Sequence, residues 1–343
     1  MKRLMCAAAA VGLSACFAAP CEEGFKPLFD GKSIDGWTKH GEGGIFSAEN
    51  GELVARFNPE KPGGSFLAPP GEYENFILRF EFKFDAFGNS GVQFRSQVMT
   101  NRLGKTTMGG YQFEMTPDGQ NIARIFDQGR SSFKYKNTKA FIWFDCNTPM
   151  SRITDARQSF FETGSNAWQK AEVRCEGPRI RTWLNGLPVV DILDGMELKG
   201  LFGFQFHAGK EGGVRWRNVR IKELPPNPGW KKLDPTNPGV HGDCIVRGVI
   251  RGKMPHPSMH WFDKAGCPAE MAVDEQLLWS VPDDQKGMNT IESIFLGDRA
   301  VHRVNMIEIY DLNRPRHAVR SPLEFRHWRD AAPADVEFEI LDL

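Results

Sequence analysis

The chain has 343 residues, and its 43 Lys and Arg residues are balanced by 43 Asp and Glu residues. Proteins that neutralise nucleic-acid phosphates carry a basic face, so a sequence isoelectric point of about 7.1 argues against a nucleic-acid partner. A hydrophobic fraction of 41% with 25% charged residues is typical of a folded protein, and 35 Gly, 22 Pro and 26 Phe residues indicate short strands joined by tight turns. This length predicts one domain of roughly 200 residues with a smaller second part.

Residues 1–15 have the pattern of a signal peptide. A basic start, Lys2-Arg3, precedes the apolar run Leu4–Leu13, which is too short to cross a bilayer core of ~30 Å as a helix. The segment Leu13-Ser14-Ala15-Cys16 resembles a bacterial lipoprotein signal, in which the Cys becomes the lipid-bearing N-terminus. An ordinary secretory signal cut near Ala18 or Ala19 is the alternative. Both interpretations predict export. With the lipoprotein signal the protein is expected in the periplasm or cell envelope, attached to the membrane only through a lipid on Cys16, and with the ordinary signal it is expected to be secreted.

Five cysteines follow Cys16, and an oxidising compartment would favour disulfides between them. The sequence leaves two pairings open, Cys244 with Cys267 and Cys146 with Cys175. No Cys-x-x-Cys motif is present, so zinc-ribbon and thioredoxin-like folds have no support in the sequence.

The chain divides near residue 225. Residues 22–225 read as successive strands, and Leu78–Phe84 alternates apolar with charged residues as a half-buried strand does. Turn signals separate the strands at Gly88-Asn89-Ser90-Gly91, Thr116-Pro117-Asp118-Gly119 and Asn185-Gly186.

A run of prolines and glycines begins the second part of the chain. Pro225-Pro226-Asn227-Pro228-Gly229 predicts a linker or an extended segment. Residues 226–343 are expected to hold this linker and a C-terminal extension or small β-rich domain. Strand-like runs in it are Cys244–Ile250, Val301–Tyr310 and Val336–Leu341.

The motifs of several common catalysts are missing from the sequence. There is no His-Glu-x-x-His, and Pro255 and Pro257 prevent the helix that would bring His256 and His260 around a metal ion. The nearest acidic pair on one predicted strand, Glu81 and Asp85, is a weak candidate for the paired carboxylates of a classical glycosidase.

Hydrogen-bonding side chains recur on one face of three predicted strands. Alternation predicts the pairs Gln93 with Arg95, Gln112 with Glu114, and Gln205 with His207. A solvated sheet face is the simple alternative, but solvated faces favour Lys, Glu, Thr and Ser. The Gln, Arg, Glu and His residues of these three strands therefore predict a ligand-binding face, with Trp143 and Trp183 able to stack on sugar rings. The substrate-binding candidates are Asn89, Gln93, Gln112, Trp143 and Gln205.

Six segments between residues 25 and 224 follow one another in a recognisable order. They are Phe25–Trp37, Tyr73–Leu78, Asn89–Arg95, Trp183–Gly186, Gly203–His207 and Arg217–Leu224. The first contains Leu-Phe-Asp-Gly-Lys-Ser-Ile-Asp-Gly-Trp, and the third reads Asn-Ser-Gly-Val-Gln-Phe-Arg. On these segments the chain resembles the 3-keto-disaccharide hydrolase family, long a bacterial domain family of unknown function.

The resemblance implies an all-β fold, namely a concanavalin-like β-jelly-roll sandwich in which one sheet curves around a carbohydrate site. A smaller, mostly β or irregular C-terminal segment would follow it. The family usually has Gly-Tyr-Glu-x-Gln-x-x-Asp where this chain has Gly110–Pro117, so Gln112 and Glu114 are exchanged and the Asp is missing. This departure falls on the predicted polar face, and the residues after Glu223 lie outside the resemblance.

The resemblance also implies a reaction on 3-keto sugars. A carbonyl at C3 acidifies the proton at C2, so the bond at C1 can break by elimination, with water adding afterwards. The reaction needs a base at C2, a partner for the enolate oxygen and an acid at the leaving oxygen. The candidates are His207 or Glu114 as the base, Arg95 with Gln205 at the enolate, and Asp127 as the acid.

No organic cofactor is expected, because a separate enzyme would perform the oxidation at C3. A divalent metal could replace Arg95 in polarising the ketone, and both alternatives stay open. The sequence makes no prediction of the oligomeric state.

Two functions from different classes follow. The first is a hydrolase or lyase of the cell envelope that acts on 3-keto-glycosides. The second is a non-catalytic, lectin-like protein that binds carbohydrate with the same face. Both predict a saccharide partner. An ionisable base and an enolate partner within one small site would distinguish the first from the second.

Overall fold

The computed structural model describes most of the chain beyond the N-terminal region. The described residues are 22–86, 88–101, 104–129, 148–207, 212–234, 237, 239–251, 260–263, 288–304, 307–313, 323–326 and 336–343. Within the first 225 residues the strands are β1 Lys26–Pro27, β2 Thr38–Gly41, β3 Ile45–Glu49, β4 Glu52–Arg56, β5 Ser65–Ala68, β6 Phe76–Ala86, β7 Ser90–Thr100, β8 Thr106–Met115, β9 Ile125–Gln128, β10 Gln169–Glu176, β11 Arg179–Leu184, β12 Leu187–Leu193, β13 Leu201–Phe206 and β14 Gly213–Glu223. Helix α1 is Met150–Thr163. The later strands are β15 Lys231–Leu233, β16 Cys244–Arg251, β17 His260–Asp263, β18 Met288–Leu296, β19 Arg299–Val304, β20 Ile307–Asn313, β21 Leu323–Arg326 and β22 Val336–Asp342.

Two antiparallel sheets form a sandwich. The first sheet has the order β12-β11-β10-β6-β14-β4-β3, with β1 paired to β14, and the second has the order β2-β5-β13-β7-β8-β9. Strands distant in sequence lie side by side, as β6 does with both β10 and β14. The predicted all-β jelly-roll sandwich is confirmed.

A phenylalanine-rich core fills the space between the two sheets. The alternation predicted for Leu78–Phe84 is confirmed, because Leu78, Phe80 and Phe82 are at most 1% exposed while Arg79, Glu81 and Lys83 lie on the opposite, solvent-facing side of β6. The second sheet contributes Val92, Phe94, Phe113, Phe202 and Phe204 to the same core. Burial of these side chains is the main driving force for sandwich formation.

The predicted turns lie between strands. Asn185 and Gly186 join β11 to β12 with φ angles of 51° and 85°, which are the left-handed values that a two-residue hairpin of type I′ requires. At Thr116–Gly119, which follows β8, the Gly119 N–H donates to the Thr116 carbonyl oxygen at 3.0 Å.

Helix α1 interrupts the succession of strands predicted for this region. Its buried residues are Ile153, Ala156 and Phe160, spaced three and four apart so that they share one face. This spacing indicates a helix, and the prediction of successive strands did not take it into account.

A third sheet follows the sandwich, in the order β15-β22-β16-β18-β19-β20, with β17 and β21 paired separately. The runs predicted at Cys244–Ile250 and Val336–Leu341 are strands, and Val301–Tyr310 is divided between β19 and β20. An apolar cluster joins this sheet to the sandwich through Leu193, Ile245, Ile294, Val301 and Leu341.

Buried polar groups strengthen that contact. The Arg303 guanidinium lies 3.7 Å from the Asp194 carboxylate, which also accepts a hydrogen bond from the Tyr111 hydroxyl. The Gly195 N–H donates to Glu292 at 3.2 Å. Partners on both sides are needed here, since an unpaired buried charge costs several kcal/mol.

Cys175 is a buried free thiol, and burial raises its pKa to about 11. The alternative in which it pairs with Cys146 is therefore not formed in this structure. Cys146, Cys267 and residues 1–21 lie outside the described residues. No helix in the described ranges is long and apolar enough to cross a membrane.

Candidate functional site

Four of the six polar residues predicted on three strands, Gln93, Gln112, Glu114 and Gln205, meet on the face of the second sheet that points away from the core. In the β7–β8 pair, Gln93 lies opposite Gln112 and Gly91 lies opposite Glu114. Strand β13 pairs with the other side of β7 and brings in Gln205. Opposed residues of an antiparallel pair share one face. We call Asn89, Gln93, Gln112, Glu114 and Gln205 the amide cluster.

Glu114 accepts hydrogen bonds from two amides of this cluster. The Asn89 side-chain nitrogen donates to Glu114 Oε1 at 2.6 Å, and Gln112 Nε2 donates to Glu114 Oε2 at 2.9 Å. Gln112 Nε2 also donates to Gln205 Oε1 at 3.2 Å. The hydrogen bonds thus link residues of three strands and fix the direction of the carboxylate.

Burial gives Glu114 an unusual acidity. The residue is 4% exposed, and the loss of water around it raises its pKa from 4.5 to about 7, although the hydrogen bonds from Gln112 and Asn89 act in the opposite direction. An apolar cluster of Phe66, Ala68 and Met108 contributes to this environment, with Phe66 directly opposite Gln205. A carboxyl group with this pKa exchanges protons at neutral pH.

Three polar atoms of the cluster are buried without a hydrogen-bond partner among the described residues. They are the side-chain nitrogen and oxygen of Gln93 and Oε1 of Gln112. Gln93 is 0% and Gln112 is 1% exposed. An unsatisfied buried polar group costs about 1–3 kcal/mol, so its presence in a native protein calls for a functional or structural reason.

Small residues make room for the cluster. A Cβ atom on Gly91 would lie 2.5 Å from Cγ and Cδ of Gln112, so only glycine fits without moving that side chain. The Ser90 hydroxyl donates to the Gln205 carbonyl oxygen at 2.7 Å and ties β7 to β13. Neither Ser90 nor Gly91 was predicted as a site residue, although both belong to the Asn-Ser-Gly-Val-Gln-Phe-Arg segment that resembles the family.

Arg95 does not belong to this face, and the prediction that it shares a side with Gln93 is wrong. A β-bulge between Phe94 and Gln97 changes the alternation, and Arg95 adopts a φ of 47°. Its guanidinium donates to the carbonyl oxygens of Glu74 and Gly177, both at 2.8 Å, and to Asn75 Oδ1 at 3.0 Å. These acceptors lie at one end of the first sheet, so Arg95 joins the two sheets.

Asp127 also lies on the opposite face from the one its predicted role requires. It is paired with Tyr111 across β8 and β9, whereas Phe126 is paired with Gln112. Tyr111 belongs to the core, and Asp127 is 1% exposed. The register therefore separates the predicted acid from the amide cluster.

The remaining predicted residues have different positions. His207 is exposed and directly follows the end of β13, two residues after Gln205. Trp183 lies on the outer face of the first sheet, opposite Glu172. Trp143 and Cys16 lie outside the described residues. In the described ranges no group of three or more His, Cys, Asp or Glu side chains could hold a metal ion.

A known family matches the sandwich. The 3-keto-alpha-glucoside-1,2-lyase-like domain matches residues 24–222, which is more than half of the chain. The chain belongs to this family. Membership places it among the carbohydrate-active proteins.

Several solved structures are similar in fold at low sequence identity. A Bacillus subtilis protein of unknown function with a galectin-like fold is 11% identical, with 59% of this chain and 96% of that chain covered and a TM-score of 0.41. The carbohydrate-binding module CBM66 of Bacillus subtilis is 17% identical, with 55% of this chain and 96% of that chain covered and a TM-score of 0.34. The GlcNAcα1-4Gal-releasing endo-β-galactosidase of Clostridium perfringens is 9% identical, with 95% of this chain and 99% of that chain covered and a TM-score of 0.38. No curated protein matches the chain.

Proposed function

We propose that the chain cleaves the glycosidic bond of 3-keto-glycosides at the amide cluster, by elimination followed by hydration. The observation that carries this proposal is Glu114, a buried carboxylate with a pKa of about 7 on the same face as the unpartnered amide of Gln93. A general base is most effective when its pKa lies near the operating pH. Membership of the family supports the class of substrate.

In the proposed reaction, ionised Glu114 removes the proton from C2 of the keto sugar. Negative charge moves onto the ketone oxygen as an enolate forms. The electron pair then makes the C1=C2 double bond while the bond from C1 to the leaving oxygen breaks. Water adds to C1, and C2 regains a proton, which restores a free 3-keto sugar.

Gln93 takes the role at the enolate for which Arg95 was the candidate. Within the described part of the chain its side-chain nitrogen has no hydrogen-bond partner, so it can donate to the ketone oxygen without breaking a hydrogen bond seen there. Donors fixed in a buried site stabilise a developing oxyanion by several kcal/mol. The unpartnered Oε1 of Gln112 can accept from a sugar hydroxyl.

His207 is the residue proposed to protonate the leaving oxygen. It is exposed at the end of β13, where a departing sugar would meet solvent. Glu114 is the better base because burial has already moved its pKa toward neutrality. An imidazole ring can carry a proton and donate it, so His207 can act as an acid toward the departing oxygen.

The site is closed in this structure. Gln93, Gln112, Glu114 and Gln205 are all less than 5% exposed, so a saccharide enters only when the surrounding side chains part. Closure around the substrate would keep water away from the enolate until the leaving group has departed. Entry of substrate is therefore a candidate for the slow step.

The proposal includes the supply of substrate and the location of the protein. The elimination uses no organic cofactor, because an oxidising enzyme would make the 3-keto sugar.

We also propose that the protein is exported and carries lipid on Cys16. Mass spectrometry of the mature N-terminus tests this part, and an unlipidated N-terminus beyond Cys16 would exclude the anchor.

The proposed activity is tested with 3-keto-trehalose and 3-keto-lactose, and with trehalose and lactose as matched unoxidised controls. We expect release of glucose only from the keto forms, with deuterium from D₂O incorporated at C2 of the keto product. Loss of activity in EDTA, restored by a divalent metal, would show that a metal assists the ketone. Tight binding of the keto sugars without turnover would favour the lectin-like alternative.

The role of His207 is tested by changing the leaving group. We expect His207→Gln to slow cleavage of 3-keto-trehalose at least ~100-fold, the low end for loss of a general acid. A 3-keto p-nitrophenyl glucoside needs little protonation on departure, so its cleavage should be much less affected. Equal losses on both substrates would mean that His207 does not protonate the leaving oxygen.

A further inference from the structure

A trough lies on the outer face of the first sheet, away from the amide cluster. Its volume is about 420 Å³, and its side-chain walls include Arg79, Glu81, Lys170, Glu172, Trp183 and Arg220. Ala171 and Phe80 are paired neighbours on β10 and β6 and lie at its floor. Small-ligand sites usually measure about 300–1,000 Å³, so the trough is large enough for one or two sugar rings.

The register of three strands builds the longer wall of this trough. Trp183 on β11 lies opposite Glu172 on β10, and Glu172 lies opposite Arg79 on β6. Because opposed residues share one face, the indole ring and these charged groups stand in one row across the sheet. Lys170 and Glu81 form the start of a second, parallel row. The trough is the space between the rows.

The charges around the trough leave an excess of cations. Glu172 is paired with Arg79 at 2.6 Å, and Glu81 with Arg217 at 2.7 Å. Both carboxylates of the trough are thus neutralised by arginines. Lys170 is exposed and has no side-chain partner among the described residues.

Arg220 adds a second cation that is only weakly paired. Its nearest carboxylate oxygen belongs to Glu22, at 3.5 Å, and that residue also binds Arg79. The trough therefore attracts a negatively charged group.

The wall beside Trp183 is rigid before any ligand binds. Asn185, in the turn after Trp183, donates to Gln169 Oε1 at 2.8 Å and accepts from the Lys170 backbone N–H at 2.9 Å. The Arg181 guanidinium stacks on the Trp183 ring with its carbon 5.7 Å from the ring centre. A site that is already ordered loses little conformational entropy on binding.

We propose that this trough is a second saccharide site, selective for a sugar that carries a carboxylate, such as a hexuronic acid. The apolar face of a pyranose ring packs on the Trp183 indole, and the sugar carboxylate pairs with Lys170 and Arg220. This site binds without catalysis, since the two carboxylates of the trough are held in ion pairs. It is separate from the amide cluster, because the two lie on outward faces of different sheets.

The test compares cellobiouronic acid with cellobiose, two disaccharides that differ by one carboxylate. In calorimetry at 50 mM salt, the acid should bind at least tenfold more tightly than the neutral sugar. Raising the salt to 500 mM should remove most of that preference, because exposed charges are then screened. Trp183→Ala should weaken binding of both sugars at least tenfold.

Lys170 provides the discriminating variants. Lys170→Gln should remove most of the preference for the acid and leave cellobiose binding unchanged, and Lys170→Glu should reverse the preference. Lys32→Gln, at an exposed lysine elsewhere, is the matched control and should change neither affinity. Melting temperatures of all variants confirm that they fold.

Three results would overturn the proposal. One is the absence of binding by the wild type to either sugar at 10 mM. Another is a Trp183→Ala variant that binds as the wild type does. A third is binding that Gln93→Leu removes and Trp183→Ala does not, which would locate the saccharide at the amide cluster. None of these outcomes depends on whether 3-keto sugars are cleaved.

Discussion

The two outward faces of the sandwich are built from the same alternating pattern but differ in environment. On the second sheet, four residues of the amide cluster are each less than 5% exposed, namely Gln93, Gln112, Glu114 and Gln205. On the first sheet, Arg and Glu side chains alternate in ion pairs that remain in contact with water, as in Arg79–Glu172. Both faces consist of polar side chains on strands whose other face is buried.

Two glutamates show what the difference does. Burial raises the pKa of Glu114 to about 7. Hydrogen bonds from Arg56 and Ser47 lower the pKa of Glu49, on the outer face of the first sheet, to about 2. The same side chain is thus a proton acceptor at neutral pH on one face and a permanent anion on the other. Loss of water raises the pKa of Glu114, and the cationic partner Arg56 lowers the pKa of Glu49.

The largest expected effect comes from removing the carboxylate of the amide cluster. Glu114→Gln should lower kcat on 3-keto-trehalose about 1,000-fold, within the range for loss of a general base. Glu49→Gln makes the same chemical change on the other sheet and should leave kcat unchanged. Equal activities of the two variants would contradict the assignment of Glu114 as the base.

Arg95 provides the next largest effect, this time on stability. Arg95→Ala should reduce the free energy of unfolding by roughly 3–5 kcal/mol, because the carbonyl oxygens of Glu74 and Gly177 lose their guanidinium donor and Asn75 Oδ1 keeps only the Gly177 N–H. Arg220→Ala, on the outer face, should cost less than ~1 kcal/mol. Urea titrations measure both. If the Arg95→Ala variant is as stable as the wild type but inactive, Arg95 has a catalytic role and not the structural one described here.

The pH dependence of stability tests the environment of Glu114 directly. Its pKa in the folded state, about 7, exceeds the ordinary value of 4.5 for a glutamate, so the folded state binds the proton more tightly than the unfolded chain does. Stability should therefore fall as the pH rises from about 4.5 to 7, by up to about 3 kcal/mol. Glu114→Gln should lack this component. Urea titrations from pH 4 to pH 8 measure the free energy of unfolding of the wild type and of Glu114→Gln. If both proteins show the same dependence of this free energy on pH, the pKa of Glu114 is not raised.

The smallest effect is expected on the exposed face. Glu81→Gln should change the free energy of unfolding by less than ~1 kcal/mol, although Glu81 bonds both Arg217 and Asn218. The change should shrink further in 0.5 M salt. A loss above 2 kcal/mol, insensitive to salt, would show that the outer face is organised like the buried one.

The fold was largely predictable because its signals are local. Alternation in β6 and the Asn185-Gly186 turn each follow from adjacent residues, and the structure has them where the sequence indicates. Helix α1 was not predicted, because only Ile153, Ala156 and Phe160 mark its buried face, although they have helical spacing. Its stability comes from packing against β11 and β12 rather than from a strong local pattern.

The candidate site was predictable only where the alternation is regular. Gln93, Gln112, Glu114 and Gln205 occupy uninterrupted parts of their strands, so period-two reasoning placed them on one face correctly. Arg95 lies within the bulge between Phe94 and Gln97, which changes the alternation and which counting residues along the strand does not reveal. The face of Asp127 depends on the register of β9 against β8, which is set by the intervening turn.

The sequence by itself determined the all-β class, the family and the set of hydrogen-bonding residues available on each strand. Only the tertiary structure decided which of those residues meet and what each can do. The reason is physical: a side chain's type fixes which atoms can donate or accept, but its pKa and its partners depend on water and on neighbours brought in from distant strands. Glu114 is a base candidate because the folded chain leaves it only 4% exposed and brings the amides of Asn89 and Gln112 onto its carboxylate.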